Sequence, residues 1–324
     1  MKIIPKLAII CFMAKKYSSV IVTGSVAYDE IMDFPGRFAD HFHPEKLHQI
    51  NVSFVVDKLN KQLGGIATNI AYNLSLATKA PVKVLAAVGH DGQTFLDFFQ
   101  KNGITTDGIV TDKDLFTASG KVMTDTRDNQ IWAYYYGASA KGKDIDLKKY
   151  SDKKSLVIIS AVHADSFLHF QKQVIELHLP YLYDPGMSLT WISDKDLQQG
   201  VMNCRWLVGN DYEIAQIIKR IGKTINELTD YGLRIITTLG EGGVAYQSKN
   251  ESYRVAGYKV RDVVDPTGAG DAWRGGFIAG IVNGLSIVDS LKLGNALASF
   301  AVEQYGTVNH RPTMKQIRER AHVL

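Results

Sequence analysis

Apolar positions along the chain fall into two kinds of run. Val20 to Val26, Val82 to Val88, Leu156-Val157-Ile158-Ile159, Tyr181-Leu182-Tyr183 and Trp206-Leu207-Val208 are short and nearly unbroken, and Arg234 to Leu239 has an apolar centre. Runs of this length predict strands buried on both faces. Between them apolar residues recur every three to four positions. Ile66, Ile70 and Leu74, after Gly64-Gly65, predict the inward face of one helix, and Phe277, Ile278, Ile281 and Val282 that of another. The same reading places helices at 91–102, near 166–178, after Ser193, at 211–220, and near 270–283, 286–304 and 313–320. Strands alternating with helices predict a mostly parallel sheet covered on both faces.

Two segments break the alternation. Residues 27–63 are mixed and contain the apolar stretch Val52 to Val56, an exposed strand in this reading. Residues 105–137 carry short polar strands, with Thr117 to Thr124 and Gln130 to Tyr136 as hairpin arms around Arg127-Asp128-Asn129. Val244 to Gln247 and Tyr253 to Val260 predict two more hairpin strands. Ligands of such folds bind beyond the carboxyl ends of the strands. Irregular β segments inserted between αβ units predict a lid over that edge. Residues 1–17 read as an extension and 18–324 as one folded domain. The run Leu7 to Ala14 is too short to span a bilayer, no A-x-A-like cleavage site precedes the first strand, and Met13 is an alternative start.

Composition narrows the class. The chain has 324 residues, 45% hydrophobic and 22% charged, with a net charge of +4. That is ordinary globular composition. No basic run or aromatic–basic interleaving suggests nucleic acid, and nothing suggests a membrane. Cys11 and Cys204 support neither a disulfide framework nor a zinc site, which fits a reducing cytoplasm. His41 and His43 fall in a loop-like, surface stretch, and the histidines show no ligand spacing.

The densest chemistry lies in Asp265-Pro266-Thr267-Gly268-Ala269-Gly270-Asp271, which runs into a predicted helix. Gly268, Ala269 and Gly270 let backbone N–H groups converge at a helix N-terminus, an anion cradle suited to phosphoryl oxygens. Asp271 at its mouth, kept ionised by the helix end, can accept a proton from an attacking hydroxyl. A plain turn with Asp271 as a cap is the alternative. Trp273 stands where a dinucleotide fingerprint needs glycine, and Ile217 where a P-loop before Gly222-Lys223-Thr224 needs one. Three further groups follow strands. Asp29, with Gly64-Gly65 and Asn69, suits a vicinal diol, or caps a turn. Asn210 and Glu213 lie one helical turn apart and suit a hydrated Mg²⁺ beside phosphates, or a capping box. Thr237 to Gly243 suits a nucleotide's phosphates or ribose, or a β-hairpin turn.

Taken in order, Gly64-Gly65…Asn69, Asn210…Glu213, Thr238-Leu239-Gly240 and Asp265-x-Thr-Gly-Ala-Gly-Asp271 resemble the ribokinase-like (PfkB) family of small-molecule kinases, over residues 18 to 308. Val22-Thr23-Gly24-Ser25, Phe34 to Phe38, Leu47-His48, Ser53 to Asp57, Asn210 to Glu213, the Asp265-Pro266-Thr267 opening and Arg274 are most similar to the bacterial adenosine kinases within it. The resemblance implies a three-layer α/β fold with a small β lid, often the dimer contact. It implies ATP-dependent, Mg²⁺-assisted phosphorylation of the 5′-hydroxyl of adenosine, with another nucleoside or a sugar such as ribose or fructose as alternatives. It makes Asp271 the base and the amides of Gly268, Ala269 and Gly270 the anion hole. Asn210 and Glu213 join the Mg²⁺–phosphate network, and Thr238, Gly240, Gly243 and Asn295 line the ATP side. Ser25, Asp29, Gly64, Gly65 and Asn69 hold the ribose, and Ser53 reaches in from the lid. Asp265 and Thr267 hold a monovalent cation, K⁺. Tyr134 stacks on one side of the base; the second aromatic expected near 120 is replaced by Ser119-Gly120, with Phe116 nearest.

Overall fold

Side chains that alternate along each strand sort the core into two halves. The computed structural model describes residues 17–42, 48, 49, 51–127 and 129–324. The extension 1–16, with Cys11 and Met13, and His43, Leu47 and Asp128 lie outside them. The chain runs β1 (Ser19–Thr23), β2 (Ala27–Asp33), β3 (Lys58–Gly64), α1 (Ile66–Ala77), β4 (Val82–Val88) and α2 (Gln93–Lys101). It continues with β5 (Ile104–Thr105), β6 (Ile109–Thr111), β7 (Ala118–Thr124), β8 (Gln130–Tyr135), β9 (Ser155–Ser160), α3 (Ala164–Glu176), β10 (Tyr181–Asp184) and α4 (Asp194–Asn203). Then come β11 (Trp206–Asn210), α5 (Asp211–Ile221), α6 (Ile225–Asp230), β12 (Arg234–Thr238), β13 (Val244–Gln247) and β14 (Ser252–Val255). Helices α7 (Ala269–Val282), α8 (Ile287–Val302) and α9 (Met314–His322) close it.

The main sheet has the order β14-β13-β12-β11-β10-β9-β1-β4-β5, with β6 also on β4. Strands β12 through β5 pair in parallel, while β13 and β14 are antiparallel. Val20, Val22, Leu156, Ile158 and Val208 face one core with Phe95, Ile70, Phe277 and Leu297 of the helices. Ile21, Val157, Ile159 and Leu207 face the other with Phe167, Leu197 and Ile217. Burial on both faces explains the unbroken apolar runs. The result is the three-layer α/β fold that the alternation predicts.

A second sheet, β3-β2-β7-β8, forms the lid. Its boundaries correct the sequence reading. Residues 104–111 belong to the main sheet through β5 and β6, so the second lid segment starts at Ala118. Val52 to Val56 is no strand: Phe54 turns into a ring cluster with Phe34, Phe38 and His41, while Val55 is 80% exposed. The strand is instead the polar, mostly exposed β3, which pairs with β2 along its whole length. Backbone pairing, absent from any hydrophobic pattern, decides it. β1 stops at Thr23, β14 at Val255, and the short α6, opened by a Thr224–Glu227 capping box, was not anticipated. Cys204 is buried, and no helix among the described residues is long and apolar enough to cross a membrane.

Candidate active site

The chain leaves β1 toward β4 on one side, and β9 to β12 extend the sheet on the other. A crevice forms at such a reversal, beyond the carboxyl ends of the two central strands. Here Ser25 after β1, and Ala161 and Val162 after β9, line a cavity of about 390 Å³. The lid roofs it. Asp29 on β2, Gly120 on β7 and Tyr134 on β8 stand in one register row across the lid, and all three line the cavity. Trp132, two positions from Tyr134 and on the same face, lines it too.

Gly64 lets Asp29 sit there, and Gly65 lets the chain pass close to Ser25. A Cβ on Gly64 would overlap the Asp29 carboxylate, and one on Gly65 (φ 86°) would come 2.5 Å from Ser25 O. Gly65 lines the cavity, whereas Gly64 does not, so Gly64 seats the diol-binding candidate rather than touching a ligand. Burial, and then the neighbouring Asp265 charge, push the Asp29 carboxyl up to about 6. Burial also lifts the Tyr134 phenol, to about 12.

At the back of the cavity Gly268 takes the left-handed conformation (φ 76°) that starts α7. A side chain there would meet Thr307 at 2.8 Å. Asp271 falls in the first turn. Of the three cradle amides, that of Ala269 is turned to Pro266 O at 3.3 Å, while among the described residues no protein acceptor takes those of Gly268 and Gly270. The helix end does not keep Asp271 at an ordinary carboxylate value. Burial dominates and pushes it up to about 6, against the lowering influence of Arg274 and of a hydrogen bond from Asn69. Asn69 lines the cavity as expected, and its Nδ2 also donates to Asp271 Oδ2 at 2.8 Å, which orients that carboxylate.

Arg274, one turn beyond Asp271, is buried against Asp184, its Nη2 donating to Oδ1 at 2.7 Å. Its Nη1 comes within 2.9 Å of where a Cβ on Gly270 would sit, which puts a fixed positive charge under the cradle. Glu213 belongs to the same group: burial raises its pKa, with the Asp184 charge adding to the rise and Arg274 opposing it.

A second cavity of about 340 Å³ lies on the other side of the cradle, lined by Thr238, Gly240, Gly243 and Asn295 with Pro266, Ala269 and Gly270. Thr267, Gly268 and Asp271 line the first cavity. Segment 266–271 is therefore the wall between the two, with the amides where a group passing from one to the other would be met. Asn295 braces that wall. It accepts from Trp273 Nε1 at 2.8 Å and donates to Ala256 O at 2.7 Å. Asp265 braces it from below by accepting from the amides of Thr267 (2.9 Å) and Gly306 (3.0 Å).

Asn210 and Glu213 form the capping box that was the alternative reading, Asn210 Oδ1 and Glu213 Oε2 each accepting the other's N–H at 2.8 Å. No group of three or more His, Cys, Asp or Glu among the described residues could cage a metal. A single carboxylate such as Glu213 still fits Mg²⁺, which keeps most of its waters and takes other ligands from phosphates. Ser53 is exposed and outside both cavities, so the structure does not bring it to the site. Trp132, Tyr136, Met187, Trp191 and Thr307 line the first cavity and were missed. Only the aromatic run 132–136 carried a signal, and its period-two alternation identifies Trp132 with Tyr134.

A half-buried carboxylate raised toward neutrality, free amides between two cavities and a fixed guanidinium fit a phosphotransferase acting on a small-molecule hydroxyl. The model of the pfkB family of carbohydrate kinases matches residues 22–314, and the chain belongs to that family. It is 28% identical over 304 residues to a nucleoside kinase of Methanothermobacter thermautotrophicus, covering 90% of this chain and 92% of that one. A ribokinase of Lactococcus lactis is 24% identical, covering 79% and 85%. The solved nucleoside kinase of Burkholderia thailandensis in complex with inosine superposes with a TM-score of 0.83 at 26% identity, covering 94% of this chain and 97% of that one.

Asp271 must be ionised to act as a base. The rate constant kcat/KM is therefore expected to be flat above pH 7 and to fall about tenfold per unit below pH 6. Initial rates across pH 4.5–8 check this, and a profile flat down to pH 5 would remove Asp271 from proton transfer.

Proposed function

We propose that the chain transfers the γ-phosphoryl group of ATP to the 5′-hydroxyl of a nucleoside, with adenosine as the preferred substrate. The observation that carries the reading is the aromatic wall of Trp132, Tyr134, Tyr136 and Trp191 in the same cavity as Asp29 and Asp271. A nucleobase presents a larger and flatter π face to such a wall than a bare sugar does. Gly120 leaves the row between Asp29 and Tyr134 open, and Trp132 supplies the ring absent at that position. The nucleoside kinases among the relatives support the same class.

In this reading Asp29 accepts the ribose hydroxyls and the rings grip the base. Asp271, oriented by Asn69, takes the proton of the attacking hydroxyl. The amides of Gly268 and Gly270 and the charge of Arg274 meet the transferring group, with ATP in the second cavity against Thr238, Gly240 and Gly243. Glu213 would hold Mg²⁺ through water, and the ion would supply neutralisation of phosphate charge. Lid closure excludes water. Asp265 and Thr267 would hold a monovalent cation, since each Asp265 oxygen accepts only one backbone N–H and keeps a lone pair. The outward lid residues Leu59, Ile131 and Tyr135 are exposed and suit pairing with a second copy. Replacing K⁺ by choline in the assay and sedimentation of the purified protein check these two points.

ADP release measured across adenosine, inosine, other nucleosides, ribose and fructose tests the substrate. The highest kcat/KM is expected for adenosine, at least a hundredfold above the sugars. A preference for ribose would overturn the reading. Trp132→Ala is expected to raise the nucleoside KM about tenfold or more, in line with base–aromatic stacking of ~1–3 kcal/mol, with kcat nearly unchanged.

A further inference from the structure

Opposite the catalytic edge, where β10, β11 and β12 begin, a cavity of about 390 Å³ is lined by Arg205, Arg234 and His178. The phosphotransfer site uses none of them. Arg205 is held rather than splayed into solvent. Its backbone N–H donates to Tyr181 O at 2.9 Å, its guanidinium lies 5.0 Å from the Trp206 ring centre, and the Tyr17 phenol lies close enough to feel its charge. Its Nε is buried with no acceptor. Arg234, in register with Trp206, lies close enough to Tyr246 for its charge to act on the phenol. Among the described residues neither arginine has a carboxylate within ion-pair distance; Arg220, Arg274 and Arg320 all do. The sixteen residues before Tyr17 contain Lys2, Lys6, Lys15 and Lys16 and no Asp or Glu, so they bring no counter-charge.

His178 adds a second sign. It follows α3 in the left-handed conformation, φ 51°, and is the only non-glycine residue with positive φ among those described. That position past a helix end normally takes glycine, and a side chain there costs about 1–2 kcal/mol. Strain kept at a cavity wall points to use of the side chain.

We propose that this cavity is a second anion site, which takes a phosphate monoester or free phosphate between Arg205 and Arg234 with His178 at its rim. Guanidinium forks match phosphate oxygens in pairs, and two of them line this one cavity. The cavity equals the substrate cavity in volume, so a nucleoside monophosphate is within its size. The proposal is independent of which substrate the catalytic site prefers.

Calorimetric titration of inorganic phosphate and of AMP tests it. The protein is first saturated with a non-hydrolysable ATP analogue, Mg²⁺ and adenosine to fill the catalytic site. Wild type is expected to bind one equivalent. Arg205→Gln and Arg234→Gln are each expected to weaken binding at least tenfold, while kcat and the thermal midpoint stay within twofold and a few degrees of wild type. AMP binding tenfold tighter than phosphate assigns a nucleotide ligand, and equal affinity assigns the bare anion. No saturable binding to the preloaded wild type, or equal binding by both variants, would overturn the proposal and leave the two arginines as solvated charges.

Discussion

Asp271→Asn is expected to lower kcat by about 10²–10⁴-fold and, at neutral pH, to make the protein more stable than wild type. The two effects have one origin. Burial raises the folded-state carboxyl to about 6 from the ordinary value of 3.8. A carboxyl raised on folding contributes its full stability below the unfolded pKa, and loses it as pH rises through the folded one. At pH 7 wild type carries that penalty, about 2–3 kcal/mol at 1.36 kcal/mol per unit. Asparagine is neutral at every pH and can still accept from Asn69 through its amide oxygen. The advantage of the variant should therefore vanish below pH 4, grow between 4 and 6, and level off above. Thermal midpoints at pH 3.5, 5 and 7 check the sign, alongside single-turnover rates. A variant less stable than wild type at pH 7 would show that Asp271 stabilises its helix end more than its burial costs.

Arg274→Met is expected to destabilise the fold by about 3–5 kcal/mol, because it leaves the Asp184 carboxylate buried without its partner. Denaturant unfolding of the variant, and of the Asp184→Asn/Arg274→Met double variant, measures this, and the double variant should recover most of the loss. A separate readout reports on catalysis. Arg274 holds Asp271 down, so its removal should move the acid limb of the pH–rate profile above 6, in the double variant as well. An unmoved limb would restrict Arg274 to a structural role.

The layers of the fold were legible because their cause is local. A strand buried on both faces must be apolar throughout, as Val82 to Val88 and Leu156 to Ile159 are, and an amphipathic helix must repeat near 3.6 residues. The lid was legible only as an irregularity. β3 is too polar to announce itself, while Val52 to Val56, apolar enough to do so, spends Phe54 on a ring cluster and leaves the rest outside the sheet. The cradle was readable for a different reason. Gly268 and Gly270 stand where a side chain would meet Thr307 or Arg274, and such positions tolerate few residues.

The sequence by itself determined the family and singled out the candidate residues whose order carries it: the cradle at 268–270, Asp271 and Asp29. Only the tertiary structure decided what those residues do to one another. Asn69 lies 202 positions from Asp271, and Arg274 lies 90 from Asp184. No local pattern encodes contacts that are set by how α1, α7 and β10 pack. The raised pKa of Asp271 likewise comes from burial. The pairing of two cavities across one wall also exists only once the start of α7 is packed between the β1–β9 crevice and the β12–β13 turn.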